Sequence, residues 1–144
     1  MLVSDVMNKD VKTIEPDETV QSASAKMAKH SIGSLVVVKN GSLRGIVTER
    51  DIMTKLVARS LDASKTTVSK IMTRQVVMIT PEKDIEDAAE VMVERIIKKL
   101  PVIKGDRLVG IITSMDIVIA QPKMMQQMAS LFLMARGAKK PVAG

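Results

Sequence analysis

The sequence predicts an α/β (α+β) protein made of two tandem β-α-β-β-α repeats followed by a C-terminal helix. Three observations carry that expectation. The chain aligns with itself at an offset of 65 residues, both copies show the same order of strand and helix signals, and an apolar segment is left over after the second copy. Without a gap from Val3 to Ile52, Val3-Ser4 meets Val68-Ser69, Met7 meets Met72, Val11 meets Val76, and Pro16 meets Pro81. Ala23 meets Ala88, Met27 meets Met92, Leu35 meets Leu100, Gly45-Ile46 meets Gly110-Ile111, Thr48 meets Thr113, and Asp51-Ile52 meets Asp116-Ile117. Apolar coincidence would not also match Gly, Pro, Thr and Asp.

Each copy opens on a short β-rich piece, Val11 to Ile14 or Val76 to Ile79, that runs into Pro16 or Pro81. The acids that follow, Asp17-Glu18 and Glu82-Lys83-Asp84, suit a helix start, where carboxylates oppose exposed N–H groups. The first helix carries Val20, Ala23, Met27 and Ala28 on one face, matched by Ile85, Ala88, Met92 and Val93, with Gly33 as the expected stop in the first copy. Leu35 to Val38 and Leu100 to Ile103 read as buried strands. Asn40-Gly41 and Gly105-Asp106 are tight-hairpin pairs, and Leu43 to Val47 and Leu108 to Ile112 are the return strands. A second helix opens at Thr48 or Thr113. The expected division is repeat 1 over 1–62, a linker over 63–67, repeat 2 over 68–121, a C-terminal helix over 122–136 and a flexible tail over 137–144. A repeat this small buries little surface alone, so the two are expected to pack as one body. In the last helix Met124, Met128, Leu131 and Phe132 make an apolar stripe, expected to pack on the module or on a partner chain.

Composition narrows the function classes. Of 144 residues 46% are hydrophobic, enough for a core, yet Phe132 is the only aromatic. Nucleic-acid modules that stack bases on aromatic platforms are therefore hard to accommodate. The net charge is +6, but Lys123, Arg136, Lys139 and Lys140 sit without an acid in residues 121–144, so the excess is concentrated at the C-terminal end. Such a tail usually stays solvated. The absence of cysteine removes disulfides, thiolate metal sites and cysteine nucleophiles, and suits a reducing cytoplasm. No signal peptide is expected from the first residues, and no uncharged apolar run approaches the roughly 18 residues of a membrane span. His30, the only histidine, reads as a polar group near a helix end, so no imidazole or thiolate metal site is expected. Neither a phosphate-binding Gly-x-x-x-x-Gly-Lys loop nor a Gly-x-Ser-x-Gly elbow occurs. The chain is read as a non-enzyme.

The sharpest local pattern is Gly45-Ile46-Val47-Thr48-Glu49-Arg50-Asp51, echoed by Gly110-Ile111-Ile112-Thr113-Ser114-Met115-Asp116. Thr-x-x-Asp at a helix start is a capping box. The same geometry offers a hydroxyl and N–H groups to a phosphate and a carboxylate to both hydroxyls of a ribose, and the Gly permits close backbone approach. Capping and binding are compatible.

Taken with His30-Ser31-Ile32-Gly33-Ser34-Leu35-Val36-Val37-Val38 and Lys98-Lys99-Leu100-Pro101-Val102-Ile103, these segments make the sequence resemble a tandem CBS (cystathionine-β-synthase) domain pair over about residues 3 to 120. The resemblance implies two repeats packed about a pseudo-two-fold axis, with two clefts for adenosine-containing ligands. Cleft A would use Thr48, Arg50 and Asp51 with Val76, Met78, Ile79, Lys98, Lys99 and Pro101. Cleft B would use Thr113, Ser114 and Asp116 with Val11, Thr13, Ile14, Gly33, Ser34 and Val36. In both, Asp would hold the ribose, Thr would help hold phosphate, and backbone near Thr13 or Met78 would meet the adenine edge. Arg50, Lys98 and Lys99 would favour AMP, ADP or ATP in cleft A, whereas a nucleoside or S-adenosylmethionine would suit cleft B. The plainer reading of Lys98 and Lys99 is a solvated turn. No cofactor is required on this reading. The module would form a homodimer and act on a separate, unidentified partner protein. Two rival classes are a nucleic-acid-binding regulator using the basic tail and a structural dimerisation unit whose Thr-x-x-Asp motifs are only caps.

Overall fold

The structure is a computed structural model and describes residues 1–135. In chain order the elements are α1 (Val3–Val6), β1 (Thr13–Ile14), α2 (Val20–His30), β2 (Ser34–Lys39), β3 (Ser42–Thr48) and α3 (Glu49–Ile52). A π-helical stretch, Met53–Val57, prolongs α3. Then follow α4 (Val68–Ile71), α5 (Ile85–Arg95), β4 (Lys99–Lys104), β5 (Arg107–Thr113), α6 (Ser114–Ala120), a 3₁₀ turn at Pro122–Met124 and α7 (Met125–Ala135). The fold is α+β with a C-terminal helix, as the duplication and the apolar segment after it predict. The expected tail over 137–144 lies outside the described residues.

The chain forms two compact units, and their limits are not those of the sequence repeats. One unit takes Val11–Val76 with Asp106–Leu108. Its helix α2 starts at Val20, two residues beyond Glu18, because Thr19 is the N-cap and its hydroxyl accepts the Ser22 N–H at 3.1 Å. The helix stops at Ser31, whose φ of 54° puts it in the left-handed region, and not at Gly33. Val20, Ala23 and Met27 are buried as expected, while Ala28 is exposed. β1 pairs in parallel with β2, placing Thr13 beside Val36 and Ile14 beside Val37. β2 and β3 form an antiparallel hairpin turned by Asn40 and Gly41, both at positive φ. The core unites Ile14, Leu35, Val37 and Val47 with Leu56 and with Val68, Ile71 and Met72 of the α4 segment. Thr73 exchanges two backbone hydrogen bonds with Ile46, at 2.8 and 2.9 Å.

The other unit takes Met1–Asp10 with Val77–Gly105 and the chain from Val109 onward. Here α1 plays the part of α4: Val3 is fully buried, and Asn8 exchanges two hydrogen bonds with Ile111, at 2.8 and 2.9 Å. The expected strand from Val76 to Ile79 shrinks to a single bridge, Ile79 with Val102. The expected strand from Val11 to Ile14 likewise shortens, to Thr13–Ile14, and the one further pair lost in the second copy traces to Pro101. Its counterpart Val36 donates its N–H to the Lys12 carbonyl, and proline has no N–H to give. α5 ends at Ile96, again left-handed at φ 57°. Ile85, Ala88, Met92, Leu100, Val102, Ile112 and Ile117 share a core with Met124, Met128 and Leu131. The stripe read on the last helix is therefore buried in its own unit, with Phe132 half-buried beside it.

Candidate functional site

Both Gly-h-h-Thr-x-x-Asp segments fold the same way: a strand ends in an extended Thr that caps a helix. Thr48 Oγ1 accepts the Asp51 N–H at 3.0 Å, and Asp51 Oδ2 accepts the Thr48 N–H at 3.0 Å. In the second copy Thr113 Oγ1 accepts the Asp116 N–H at 3.0 Å, and Asp116 Oδ2 accepts the Thr113 N–H at 2.9 Å. Both are capping boxes. The glycines make room for the chain itself: a Cβ on Gly45 would lie 2.6 Å from the Thr73 carbonyl oxygen, and one on Gly110 would meet Met7 Sδ at 2.6 Å before the Asn8 carbonyl oxygen at 3.1 Å. The backbone contact explains Gly45 without a ligand, whereas at Gly110 the Met7 side chain can swing aside.

Each corner is tied to its own repeat. The Glu49 N–H donates to the Gly33 carbonyl at 2.9 Å, and the Ser114 N–H donates to the Lys98 carbonyl at 2.8 Å. A Cβ on Gly33 would meet Glu49 Oε1 at 2.9 Å, the end of an exposed side chain that can swing aside. Ser34 faces Thr48 across the hairpin, Val36 faces Ile46, and Thr13 and Ile14 lie along Val36 and Val37. In the second copy the Ile79 N–H donates to the Pro101 carbonyl at 3.0 Å, so Met78 and Ile79 lie along the Lys98-to-Pro101 segment. The expected cleft A residues divide between the units: Thr48, Arg50, Asp51 and Val76 fall in one, and Met78, Ile79, Lys98, Lys99 and Pro101 in the other. The cleft B residues divide likewise, with Val11, Thr13, Ile14, Gly33, Ser34 and Val36 in the first unit and Thr113, Ser114 and Asp116 in the second.

The two aspartates differ in their surroundings. Asp51 is 6% exposed, with Oδ1 2.9 Å from Lys55 Nζ, and the Thr73 hydroxyl lies 3.2 and 3.3 Å from its two oxygens. Asp116 is half-buried, and its capping bond is the only hydrogen bond its carboxylate makes among the described residues. Lys26 Nζ donates to the Thr13 carbonyl. Lys26, Lys55 and Thr73 went unread in the sequence as site residues. Lys55 is the one with a local signal, four residues after Asp51 on a helix.

Cavities adjoin these segments. In the first unit one of about 560 Å³ is lined by Met27, Ile32, Gly33, Glu49 and Ile52 among others. In the second, a cavity of about 520 Å³ lies between Lys98, Met115 and α7 residues Met125, Ala129, Phe132 and Leu133. Another, of about 390 Å³, is lined by Met78, Ile79 and Val91 with Lys83, Asp87, Glu90 and Glu94. Among the described residues no three His, Asp or Glu side chains gather to hold a metal ion. Nor is any of their helices long and apolar enough to cross a membrane. Arg136, Lys139 and Lys140 of the basic tail lie outside the described residues.

Paired α+β repeats that each close a Thr-x-x-Asp corner onto their own strand define a class of regulatory ligand-binding module. The chain belongs to the CBS-domain family, which it matches twice in tandem, over residues 3–58 and 68–123. It is similar to the CBS domain-containing protein YhcV of Bacillus subtilis, 35% identical over 119 residues that cover 83% of this chain and 84% of that protein. It is also 40% identical over 119 residues to a homoserine O-acetyltransferase of Methanosarcina acetivorans, covering 81% of this chain but 21% of the enzyme. Among solved structures it is similar to a CBS domain pair in complex with 5′-methylthioadenosine and S-adenosyl-L-methionine. The TM-score there is 0.74 at 32% identity, covering 85% of this chain and 97% of that one.

Proposed function

We propose that this module binds an adenosine-containing ligand, AMP, ADP or ATP in preference to S-adenosylmethionine, catalyses nothing itself, and signals to a separate partner protein. The observation that carries the proposal is the corner of the second repeat. There a half-buried carboxylate with spare acceptor capacity, Asp116, stands about one helical turn from Thr113 and two residues after Ser114, which is bonded to the Lys98 backbone ahead of Lys99. A carboxylate of this kind accepts both hydroxyls of a ribose, and lysines provide charge-assisted contacts to phosphate. In a chain whose only aromatic is Phe132, aliphatic side chains would flank the base, the exposed Met78 beside the buried Ile79 and Pro101. The related pair that holds two adenosine derivatives supports the same ligand class. Because each corner is bonded to its own repeat, the proposal groups Thr113, Ser114 and Asp116 with Met78, Ile79, Lys98, Lys99 and Pro101. Thr48 and Asp51 are grouped with Val11, Thr13, Ile14, Gly33, Ser34 and Val36.

Ligand binding would bias a conformational equilibrium that the partner reads, in a cytoplasmic homodimer. Thermal unfolding with AMP, ATP and S-adenosylmethionine tests the ligand. A ligand at a hundred times its Kd is expected to stabilise the chain by roughly 2.7 kcal/mol. An unchanged melting temperature at millimolar concentrations of all three would instead favour the reading that the Thr-x-x-Asp segments are caps alone, which the fully engaged Asp51 makes the rival.

A further inference from the structure

We infer that the two repeats are not equivalent binding sites: two lysines close the first corner from within, and the nucleotide is taken by the second. The inference rests on the ligand class proposed above and deepens it. Binding adenosine at a corner requires two free acceptors, a carboxylate for the ribose and a backbone carbonyl at the base edge. In the first repeat both are already used. Lys55 Nζ lies 2.9 Å from Asp51 Oδ1 and also donates to the Ile71 carbonyl at 3.2 Å, while the Thr73 hydroxyl bonds the same carboxylate. Lys26 donates to the Thr13 carbonyl. A ribose would have to displace an ion pair whose acid is buried, and an adenine amino group would have to displace an ammonium.

The 65-residue offset gives the counterpart of each blocking residue in the second repeat. Lys55 becomes Ala120, Lys26 becomes Val91, and the place of Thr73 is taken by Asn8, whose Oδ1 accepts the Asp10 N–H at 2.9 Å. None of these three bonds Asp116 or the Met78 carbonyl, the counterpart of Thr13. Val91 and Met78 line the same cavity, so the space that a lysine would fill stays open. The two substitutions are independent, one on α5 and one on α6, and both free an acceptor of the same repeat.

Titration calorimetry of the full chain with AMP tests this. One equivalent per chain is expected. The double variant Val91→Lys/Ala120→Lys, which copies both lysines into the second repeat, is expected to weaken AMP by at least about tenfold. The double variant Lys26→Ala/Lys55→Ala is expected to bind a second equivalent. Two equivalents in the unsubstituted chain, or undiminished binding in a folded Val91→Lys/Ala120→Lys variant, would overturn the inference while leaving the ligand class standing. Failure of the unsubstituted chain to bind AMP, ATP or S-adenosylmethionine would instead overturn the proposed function, and the inference with it.

Discussion

Ile96 caps α5 at a φ of 57°, a conformation in which a β-branched side chain crowds its own backbone. Ser31 holds the same place after α2, at φ 54°, and a small polar residue tolerates it better. Ile96 is 52% exposed, so little packing repays the strain. Ile96→Gly is therefore expected to stabilise the chain by about 1 kcal/mol, measured by urea unfolding. A loss of stability would mean that the Ile96 side chain packs better than its exposure implies. Gly45 shows the opposite constraint, since the Thr73 carbonyl occupies the space a Cβ needs, while at Gly110 the Met7 side chain stands nearest with the Asn8 carbonyl behind it. The sequence marked these glycines through their repetition, but it suggested room for a ligand where the structure puts Thr73 and Asn8. The aspartates divide in the same way. Their type and spacing were legible as caps, whereas the Thr73 bond that helps engage Asp51 comes from 22 residues away and has no local signature.

At the scale of elements, α7 is what the second unit has and the first lacks. Met124, Met128 and Leu131 are almost wholly buried against a core that includes Met92 and Ile117, while Leu133 on the same helix is 49% exposed. Leu131→Ala is expected to cost about 2–5 kcal/mol. Leu133→Ala should cost well under half as much, and comparing the two chemical-denaturation midpoints checks the assignment. Equal losses would place the helix differently. The apolar spacing of this stripe was legible because burial imposes the helical period on sequence. The first strand of the second repeat is shorter than its composition predicts for an equally physical reason. Val76 to Ile79 has the composition of a strand, but Pro101 withholds the N–H that would continue its pairing, and strand formation depends on the partner.

For the whole molecule, the units exchange their leading segments relative to the repeats. Residues 1–10 complete the unit that contains α5, and residues 68–76 complete the unit that contains α2. Val3 donates its N–H to Lys83 at 2.7 Å, Ile85 donates to Met1 at 3.0 Å, and Ile111 donates to Asn8 at 2.9 Å. Deleting residues 1–8 is thus expected to speed amide exchange in Ile85–Arg95 and at Ile111, more than in Val20–His30. The reverse order would show that the segment stabilises its own repeat. What the sequence determined by itself was the duplication, the order of the longer helices and the hairpins, the family and the residue types at the two corners, because these are written in local period and spacing; the short helices α1 and α4 were not. The tertiary structure alone decided which leading segment completes which unit, which strand is cut short, and which aspartate keeps an oxygen unbonded among the described residues. Those outcomes depend on hydrogen bonds and ion pairs between residues far apart in the chain, and the identity of one partner does not reveal the other.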